Sequence, residues 1–250
     1  MVKRSMAVEI VWRSERGTLT CDNRDCCGVG LRDESALAIV LDGSTSGANS
    51  GEFARAIARD LIDWFISSEQ VTPQTVTDRL QEIHGDLSTN YRKDSASLVI
   101  ALVESDGPTQ ILHSGDCLAG TCQGPTDIIW QAQPHTLANV TGDLSVADIA
   151  QTPVRHRLTR SFRSREFAAP DVSEIRLEEE QDLVLATDGF WAELSRDTQA
   201  RFLEGDEVPD GNHQDRDDCS ALILRQVAGR ANAVSGEAFG NLYIGDAEGS

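Results

Sequence analysis

The feature that most constrains this 250-residue chain is a set of short acidic islands placed where apolar runs end. Carboxylates delivered by strand ends or turns toward one point would form an all-oxygen site, which suits hard divalent cations such as Mg2+ or Mn2+. The central question for the fold is whether these islands meet. They are Asp25 in Asn23-Arg24-Asp25, Asp42 in Leu41-Asp42-Gly43, Asp188 in Thr187-Asp188-Gly189, and the pair Asp217-Asp218.

Charge and length exclude several classes of protein. The formal charge of −19 leaves no basic surface for phosphate backbones and argues against nucleic acid as a partner. No apolar stretch approaches the ~20 residues that a membrane helix needs, and residues 1–9 lack the apolar core of a signal peptide. We therefore expect a cytoplasmic protein without a membrane partner. No linker divides the chain, so one domain over residues 1–250 is expected.

The six cysteines form no Cys-x-x-Cys pair. In an intracellular protein disulfides are rare, so we expect reduced thiols in the core or near the site. None of them is followed by the Arg-bearing loop that a Cys-nucleophile phosphatase needs. They are Cys21, Cys26, Cys27, Cys117, Cys122 and Cys219.

Hydrophobic periodicity predicts strands on both sides of a helix pair. Apolar positions at helical spacing predict amphipathic helices over 51–67 and 73–91, after a polar, Gly-rich loop over 43–51. Short hairpin-like strands beside two adjacent helices favour an antiparallel two-sheet α/β layering over a parallel Rossmann sheet. Residues 124–170 form an irregular insertion in this prediction. Strands are predicted at 8–12, 37–41, 97–103, 110–113, 175–177, 183–186, 221–227 and 242–244.

The order of the acidic islands and their flanks resembles the metal-dependent protein phosphatases of the type 2C family. Each motif is weak when taken singly, but their common order over roughly residues 17–227 is specific. The matching segments are Gly17 with Asn23-Arg24-Asp25, Asp42-Gly43-Ser44-Thr45-Ser46 with Gly51-Glu52-Phe53-Ala54, Ser95-Ala96-Ser97, Gly115-Asp116-Cys117, Leu158-Thr159-Arg160, Thr187-Asp188-Gly189-Phe190-Trp191, and Asp217-Asp218-Cys219-Ser220.

The resemblance implies an α/β fold in which helices flank both faces of an antiparallel β-sandwich, with a binuclear metal site at one end. Asp42 would bridge two Mn2+ or Mg2+ ions, the Gly43 carbonyl would ligate one, and Asp188 and Asp217 would hold the other. Asp25 belongs to the same metal-site set. The ions would activate a water for attack on phosphorus, which makes Asp42 and Asp188 the catalytic residues without any protein nucleophile.

The implied activity is hydrolysis of phosphoserine and phosphothreonine in a phosphoprotein, opposite a cognate serine/threonine kinase. No oligomerisation segment is visible in the sequence, so we expect a monomer. Residues 124–170 would form a flap beside the site, and loops near a fixed centre often determine substrate choice. His113 and His135 are candidate general acids for the leaving alcohol.

One departure from the family pattern concerns phosphate binding. The family's early phosphate-gripping Arg falls on Thr20, and Arg24 replaces the usual Glu or Gln before the first Asp. Because a guanidinium binds phosphate in a bidentate manner, Arg24, Arg16 or Arg160 are candidate substitutes. The alternative is that Arg24 pairs with a neighbouring Asp and orders the turn.

A second departure concerns the third metal ion that the family often binds weakly. The resemblance makes Asp116 one ligand for this ion, but the other ligand position is Ala192. Glu193 is adjacent, yet one step along a helix turns a side chain by about 100°. We therefore expect two metal ions, with a third absent or weakly bound.

Two alternative functions remain open at this point. A catalytically weak or inactive relative would use the same fold to bind a phosphorylated partner, as the missing Arg and altered glycine loop suggest. An aspartyl-phosphate hydrolase of the haloacid dehalogenase kind is the other alternative, because Asp42-Gly43-Ser44-Thr45 faintly resembles its motif. That chemistry needs a carboxylate two residues before Asp42, where this chain has Val40.

Overall fold

A computed structural model describes residues 6–105, 107–125, 127–178, 180–207, 215–228, 232–236 and 240–247. The strands are β1 (Met6–Glu15), β2 (Asp25–Leu31), β3 (Ser35–Gly43), β4 (Ser95–Glu104), β5 (Thr109–Ser114), β6 (Leu118–Cys122), β7 (Ile129–Trp130), β8 (Phe162–Arg163), β9 (Asp171–Ile175), β10 (Asp182–Ala186), β11 (Cys219–Ala228), β12 (Ala233–Gly236) and β13 (Leu242–Asp246). The helices are α1 (Ser50–Ser67), α2 (Pro73–Leu87), α3 (Val146–Ala150), α4 (Asp188–Trp191) and α5 (Arg196–Glu204), with a 3-10 turn at Leu137–Asn139.

The strands form two sheets. The first sheet has the order β12-β1-β11-β10-β6-β7, and the second has the order β13-β2-β3-β4-β5-β9, with β8 beside β4. The pairs within each sheet are antiparallel, except that β12 and β13 lie parallel to β1 and β2. The predicted layered α/β sandwich is therefore confirmed, and a parallel Rossmann sheet is excluded for the described residues.

The core lies between the sheets and continues beneath the helices. Trp12 of β1 packs with Val40 of β3 in the layer between the two sheets. Alternate residues of β3, such as Ile39, face the other way and pack against Phe53 of α1. A strand buried on both faces needs apolar residues at every position, which explains its continuous apolar run. On the far side, α4 and α5 cover the first sheet through the cluster that contains Phe190 and Phe202.

Both long helices were predicted correctly, with small differences at their ends. The first begins at Ser50, and the second begins at Pro73 after a capping box between Thr72 and Thr75. The second helix ends at Leu87 rather than at residue 91. Ser, Thr and Asn follow at positions 88–90, and their side chains compete for backbone hydrogen bonds, which favours turns over helix.

The predicted strand at 175–177 is wrong by several residues. The strand is Asp171–Ile175, and it pairs with β5 in a register where Ile175 lies opposite Thr109, the first residue of β5. Residues beyond 175 therefore have no partner strand. The predicted hairpin over 104–108 does connect β4 to β5, although Asp106 lies outside the described residues.

Strand β2 was not predicted, because glycines interrupt its apolar pattern. The structure explains one of them: a Cβ at Gly30 would lie 2.5 Å from the Phe65 ring of α1. The close approach of the helix thus requires glycine where strand propensity disfavours it. All six cysteines are free, and Cys21 is the exposed one. No helix among the described residues is both long and apolar enough to cross a bilayer.

Candidate active site

At one end of the second sheet, three neighbouring strands carry polar side chains. In the register of β2, β3 and β4, Asp25 lies opposite Asp42, and Asp42 lies opposite Ser97. The hydroxyl of Ser97 donates to Asp116 Oδ1 over 2.6 Å, just beyond the end of β5. Directly paired residues project to the same face of a sheet. Asp25, Asp42 and Asp116 therefore all lie at this end of the sheet, at the opening between the two sheets.

The first sheet delivers its acidic residues to the same opening. Strand β10 ends at Ala186, and Asp188 is the first residue of α4. Asp217 lies just before β11 begins, and β11 is the neighbour of β10. Between them, the Thr187 hydroxyl donates to Asp25 Oδ2 over 2.9 Å, so the two sheets are bonded to each other here.

Asp218 makes different contacts from its neighbour Asp217. Its two carboxylate oxygens accept hydrogen bonds from the backbone N–H groups of Gly17 and Arg24, each over 2.7 Å. Asp218 therefore holds the segment that leads to Asp25. Asp217 instead lines the cavity described next.

The acidic residues surround a cavity of about 210 Å³. Its wall includes two basic side chains, His156 and Arg163, both from the segment 124–170, so part of this segment lies beside the carboxylates. The acidic lining residues are Asp42, Asp116, Asp188 and Asp217. A larger open cleft of about 940 Å³ lies at the other end of β3, beside Arg32 and Glu104, and it contains none of these carboxylates.

Burial and mutual repulsion disfavour ionisation of several of these acids. Burial, and then the charge of Asp188, raise the pKa of Asp116 to about 7, against the hydrogen bond from Ser97. The same two causes raise the pKa of Asp217 to about 7. Burial and the neighbouring carboxylates also raise the pKa of Asp42 and of Asp25. A cluster of this kind gains stability from protons or from cations.

The donor set fits hard divalent cations in its chemistry. Asp25 Oδ1 and Asp188 Oδ1 are buried oxygens that have no hydrogen-bond partner among the described residues. Buried polar atoms normally have a partner, so these two oxygens are available as ligands. In the described parts of the chain, however, no three acidic, His or Cys side chains already converge on one point. Side-chain rotation would be needed to enclose an ion.

The backbone at Gly43 is closely packed against the start of α1. A Cβ at Gly43 would lie 2.6 Å from the carbonyl oxygen of Ser50, so only glycine fits. The loop that follows is held by Arg24, whose Nη1 donates to the carbonyls of Ser44 and Gly47 over 2.8 and 2.6 Å.

Arg155 is a site residue that sequence reasoning missed. It comes from the segment 124–170 and is 8% exposed. Its Nη1 donates to Asp188 Oδ2 over 2.6 Å, and its Nη2 donates to Glu193 Oε1 over 2.9 Å. The partners lie 33 and 38 positions away in the sequence, and no motif surrounds Arg155, so the sequence carried no signal for this contact.

None of the three arginines proposed for phosphate binding lines the cavity. Arg24 binds the loop after Gly43, Arg16 donates to the Cys21 carbonyl, and Arg160 pairs with Asp171. The alternative interpretation of Arg24 as a turn-ordering residue is the one that its contacts support, including its pair with Asp22 at 3.3 Å.

The two candidate general acids also lie away from the cavity wall. The rings of His113 and His135 stack with their centroids 4.3 Å apart. Burial, and then His135, lower the pKa of His113 to about 4. The Gly115 N–H donates to His135 Nδ1, so this ring supports the turn that carries Asp116. His156 is the histidine at the cavity, with Nδ1 3.9 Å from Asp188 Oδ2.

Comparison with known proteins gives one family and a consistent fold. Residues 17–207 match the family described as Protein phosphatase 2C. No curated protein matches the sequence. Among solved structures, the serine/threonine phosphatase Stp1 from Staphylococcus aureus is similar, with a TM-score of 0.74 at 16% identity, covering 92% of this chain and 98% of that one.

Two further solved structures carry ligands. The PPM Ser-Thr phosphatase MsPP from Mycobacterium smegmatis, in complex with cacodylate, has a TM-score of 0.68 at 19% identity, covering 86% of this chain and 97% of that one. The catalytic domain of the serine threonine protein phosphatase PstP, in complex with two manganese ions, has a TM-score of 0.62 at 16% identity, covering 89% and 100%.

Proposed function

This chain belongs to the protein phosphatase 2C family, and we propose that it hydrolyses phosphoserine and phosphothreonine in phosphoproteins at the carboxylate-lined cavity. The observation that carries the proposal is the meeting of acidic residues from both sheets. Asp42 and Asp116 reach the cavity from one sheet, and Asp188 and Asp217 reach it from the other. A structural role alone would not explain so many carboxylates with raised pKa around one opening.

Asp42, Asp188, Asp217 and the Gly43 carbonyl would hold two Mn2+ or Mg2+ ions, with Asp25 supporting the set. Such ions supply Lewis-acid polarisation of the phosphoryl group and an activated water for in-line attack. The two manganese ions of PstP support this cofactor choice. Asp116 is the candidate ligand for a third ion, which we expect to be absent or weakly bound.

The basic residues of the cavity wall are suited to the substrate. Two hydrogen bonds hold Arg163. Its Nε donates to the Ser161 hydroxyl and its Nη2 donates to the Leu158 carbonyl, each over 3.1 Å. A guanidinium fixed in this way can bind phosphoryl oxygens without a large loss of side-chain entropy. His156 can donate a proton to the leaving serine or threonine oxygen.

The remaining features of the proposal concern the protein as a whole. We assign the chain one catalytic domain over residues 1–250, a monomeric state, a cytoplasmic location and a cognate serine/threonine kinase that makes its substrate. The charge of −19 supports a protein substrate over a nucleic acid.

The test is hydrolysis of p-nitrophenyl phosphate and a phosphothreonine peptide with Mn2+, Mg2+ or EDTA. We expect metal-dependent turnover that EDTA removes and that Asp42→Ala abolishes. Asp86→Ala, which changes an exposed carboxylate on α2, is the matched control and should keep full activity. Near-normal turnover in Asp42→Ala would contradict the mechanism.

A second candidate function is phosphoprotein binding by a catalytically weak relative. The contact between Arg155 and Asp188 favours it, because that carboxylate is already paired with a cation. This function predicts that the phosphothreonine peptide binds to the metal-loaded protein without being hydrolysed. Turnover in the same experiment excludes it.

A further inference from the structure

We propose that Arg155 acts as a tethered cation in the active site, taking the place beside Asp188 and Glu193 that a further divalent ion would otherwise occupy. The inference rests on the proposed function, because it assumes that the cavity holds metal ions. It goes beyond that function because part of the positive charge that neutralises the cavity carboxylates comes from a side chain of the protein.

The geometry of Arg155 is that of a bridging counter-ion. Two different nitrogens of one guanidinium bind two carboxylates, at 2.6 Å and 2.9 Å, and the side chain of Arg155 is 9% exposed. Asp188 is the first residue of the short helix α4, and Glu193 lies two residues beyond its last residue, Trp191. Glu193 also accepts from the backbone N–H of Asp217 over 3.2 Å, so the bridge extends to another cavity residue.

The sequence around α4 agrees with this arrangement. Ala192 stands where the family resemblance places the second ligand of a third metal ion, and its methyl group cannot ligate. The neighbouring Glu193 points to Arg155 instead. The positive charge of Arg155 also acts on Asp116, the other candidate ligand, where it opposes the pKa increase caused by burial and by Asp188.

A tethered guanidinium has physical advantages over a weakly bound ion. Arginine stays protonated at every physiological pH and cannot dissociate from the chain. A buried carboxylate without a partner is strongly unfavourable, and the guanidinium compensates the buried Asp188 while it also binds the more exposed Glu193. Because Arg155 belongs to the segment 124–170, the same contact ties that segment to the carboxylates.

The proposal predicts the number of ions that the protein binds. We would measure Mn2+ stoichiometry by equilibrium dialysis and calorimetry on the full chain. The wild type and Arg157→Ala should each bind two Mn2+ ions. Arg157 is an exposed arginine two positions away, so its variant matches the change in charge. Arg155→Ala should bind an additional, weaker Mn2+ at the freed carboxylates of Asp188 and Glu193, in the cavity that Asp116 also lines.

Stability of the metal-free protein gives a readout that does not depend on activity. Without metal, Arg155→Ala should melt about 5–10 °C lower than the wild type, since it removes the cation that pairs with the buried Asp188. Millimolar Mn2+ should recover most of that difference. If Arg155→Ala does not fold, Arg155→Gln, which keeps an N–H donor for Asp188 but removes the charge, takes its place and should bind the additional Mn2+ ion.

The outcomes separate the two proposals. Equal stoichiometry of two ions in the wild type and Arg155→Ala, with equal melting temperatures, overturns the role of Arg155 and leaves the metal centre intact. Three ions in the wild type also overturn it. Absence of Mn2+ from every variant overturns the metal centre of the proposed function, and the assignment of Arg155 with it.

Discussion

Thr187 donates its hydroxyl to Asp25 across the two sheets, over 2.9 Å. The same hydroxyl oxygen accepts from the Ser220 N–H over 3.1 Å. One side chain therefore connects β2, β10 and β11 at the end of the sheets where the acidic residues lie. Thr187 is fully buried, and its partner Asp25 has a second oxygen without a partner. The position of Asp25 therefore depends on a residue from the opposite sheet.

We predict that Thr187→Val destabilises the protein by about 1–3 kcal/mol, because two buried groups lose their partner while the side-chain volume is conserved. The measurement is urea unfolding of metal-free protein. Thr159→Val, at an exposed threonine, is the matched control and should change the free energy of unfolding by less than ~0.5 kcal/mol. Equal effects of the two variants would show that the bond between the sheets is unimportant.

The raised pKa values predict that the metal-free protein becomes less stable as the pH rises. The pKa of Asp116 is about 7 in the folded chain, whereas an Asp in an unfolded chain titrates near ~3.9. The folded state thus retains a proton that the unfolded state releases, so stability falls as pH rises between about 4 and 7. One such carboxyl contributes about 1.4 kcal/mol per pH unit in that window.

This pH dependence can be measured by thermal unfolding in EDTA between pH 5 and pH 8. Asp116→Asn cannot ionise, so its melting temperature should change less steeply with pH than that of the wild type. Saturating Mn2+ should reverse the trend, since metal binding requires deprotonated ligands. A wild-type protein that becomes more stable from pH 5 to pH 7 without metal would contradict the assigned pKa increases.

We predict that Arg163→Gln raises KM for a phosphothreonine peptide about tenfold, which corresponds to losing roughly 1.4 kcal/mol of binding. The guanidinium lies on the cavity wall, and glutamine keeps much of its length without the charge. Arg165→Gln, two positions along the chain at an exposed arginine, should leave KM unchanged. The initial-rate kinetics should be measured at low salt, where charge contacts are least screened.

A different result is expected for Arg24→Gln. Because Arg24 binds the carbonyls of Ser44 and Gly47, its loss should loosen the loop after Gly43. We expect faster hydrogen exchange over residues 44–49 and weaker Mn2+ binding, with KM for the peptide changed by less than ~2-fold. An increase in KM with unchanged exchange would instead return Arg24 to the phosphate-binding role suggested by the sequence.

The sequence was sufficient to predict the sandwich and the meeting of the acidic islands. Asp42 and Asp188 each follow an apolar run whose strand character is unambiguous, so their place at strand ends could be inferred. Strand β2 was harder, since Gly28 and Gly30 are required by contacts with α1 that local propensity does not contain. The same limit applies to β9, whose end is determined by its register with β5.

Arg155 shows why part of the site could not be predicted. Its partners are fixed only after residues 124–170 fold over the cavity, and that segment has no periodic pattern. Arg24 is the opposite case: it stands at a motif position, but its guanidinium binds the backbone of the loop after Gly43. Motif position did place Asp42, Asp116, Asp188 and Asp217 around one cavity, and their role there as metal ligands stays a prediction.

The pairing of β1 with β11 has a consequence for the newly made protein. Gly17 and Asp218 are joined by a hydrogen bond although they lie 201 positions apart, and Asp217 precedes the strand that makes this pairing. A nascent chain that has not yet released β11 from the ribosome lacks both the strand and one acidic wall of the cavity. Such distant pairings also form slowly. The carboxylate-lined cavity is therefore complete only after β11 has been synthesised.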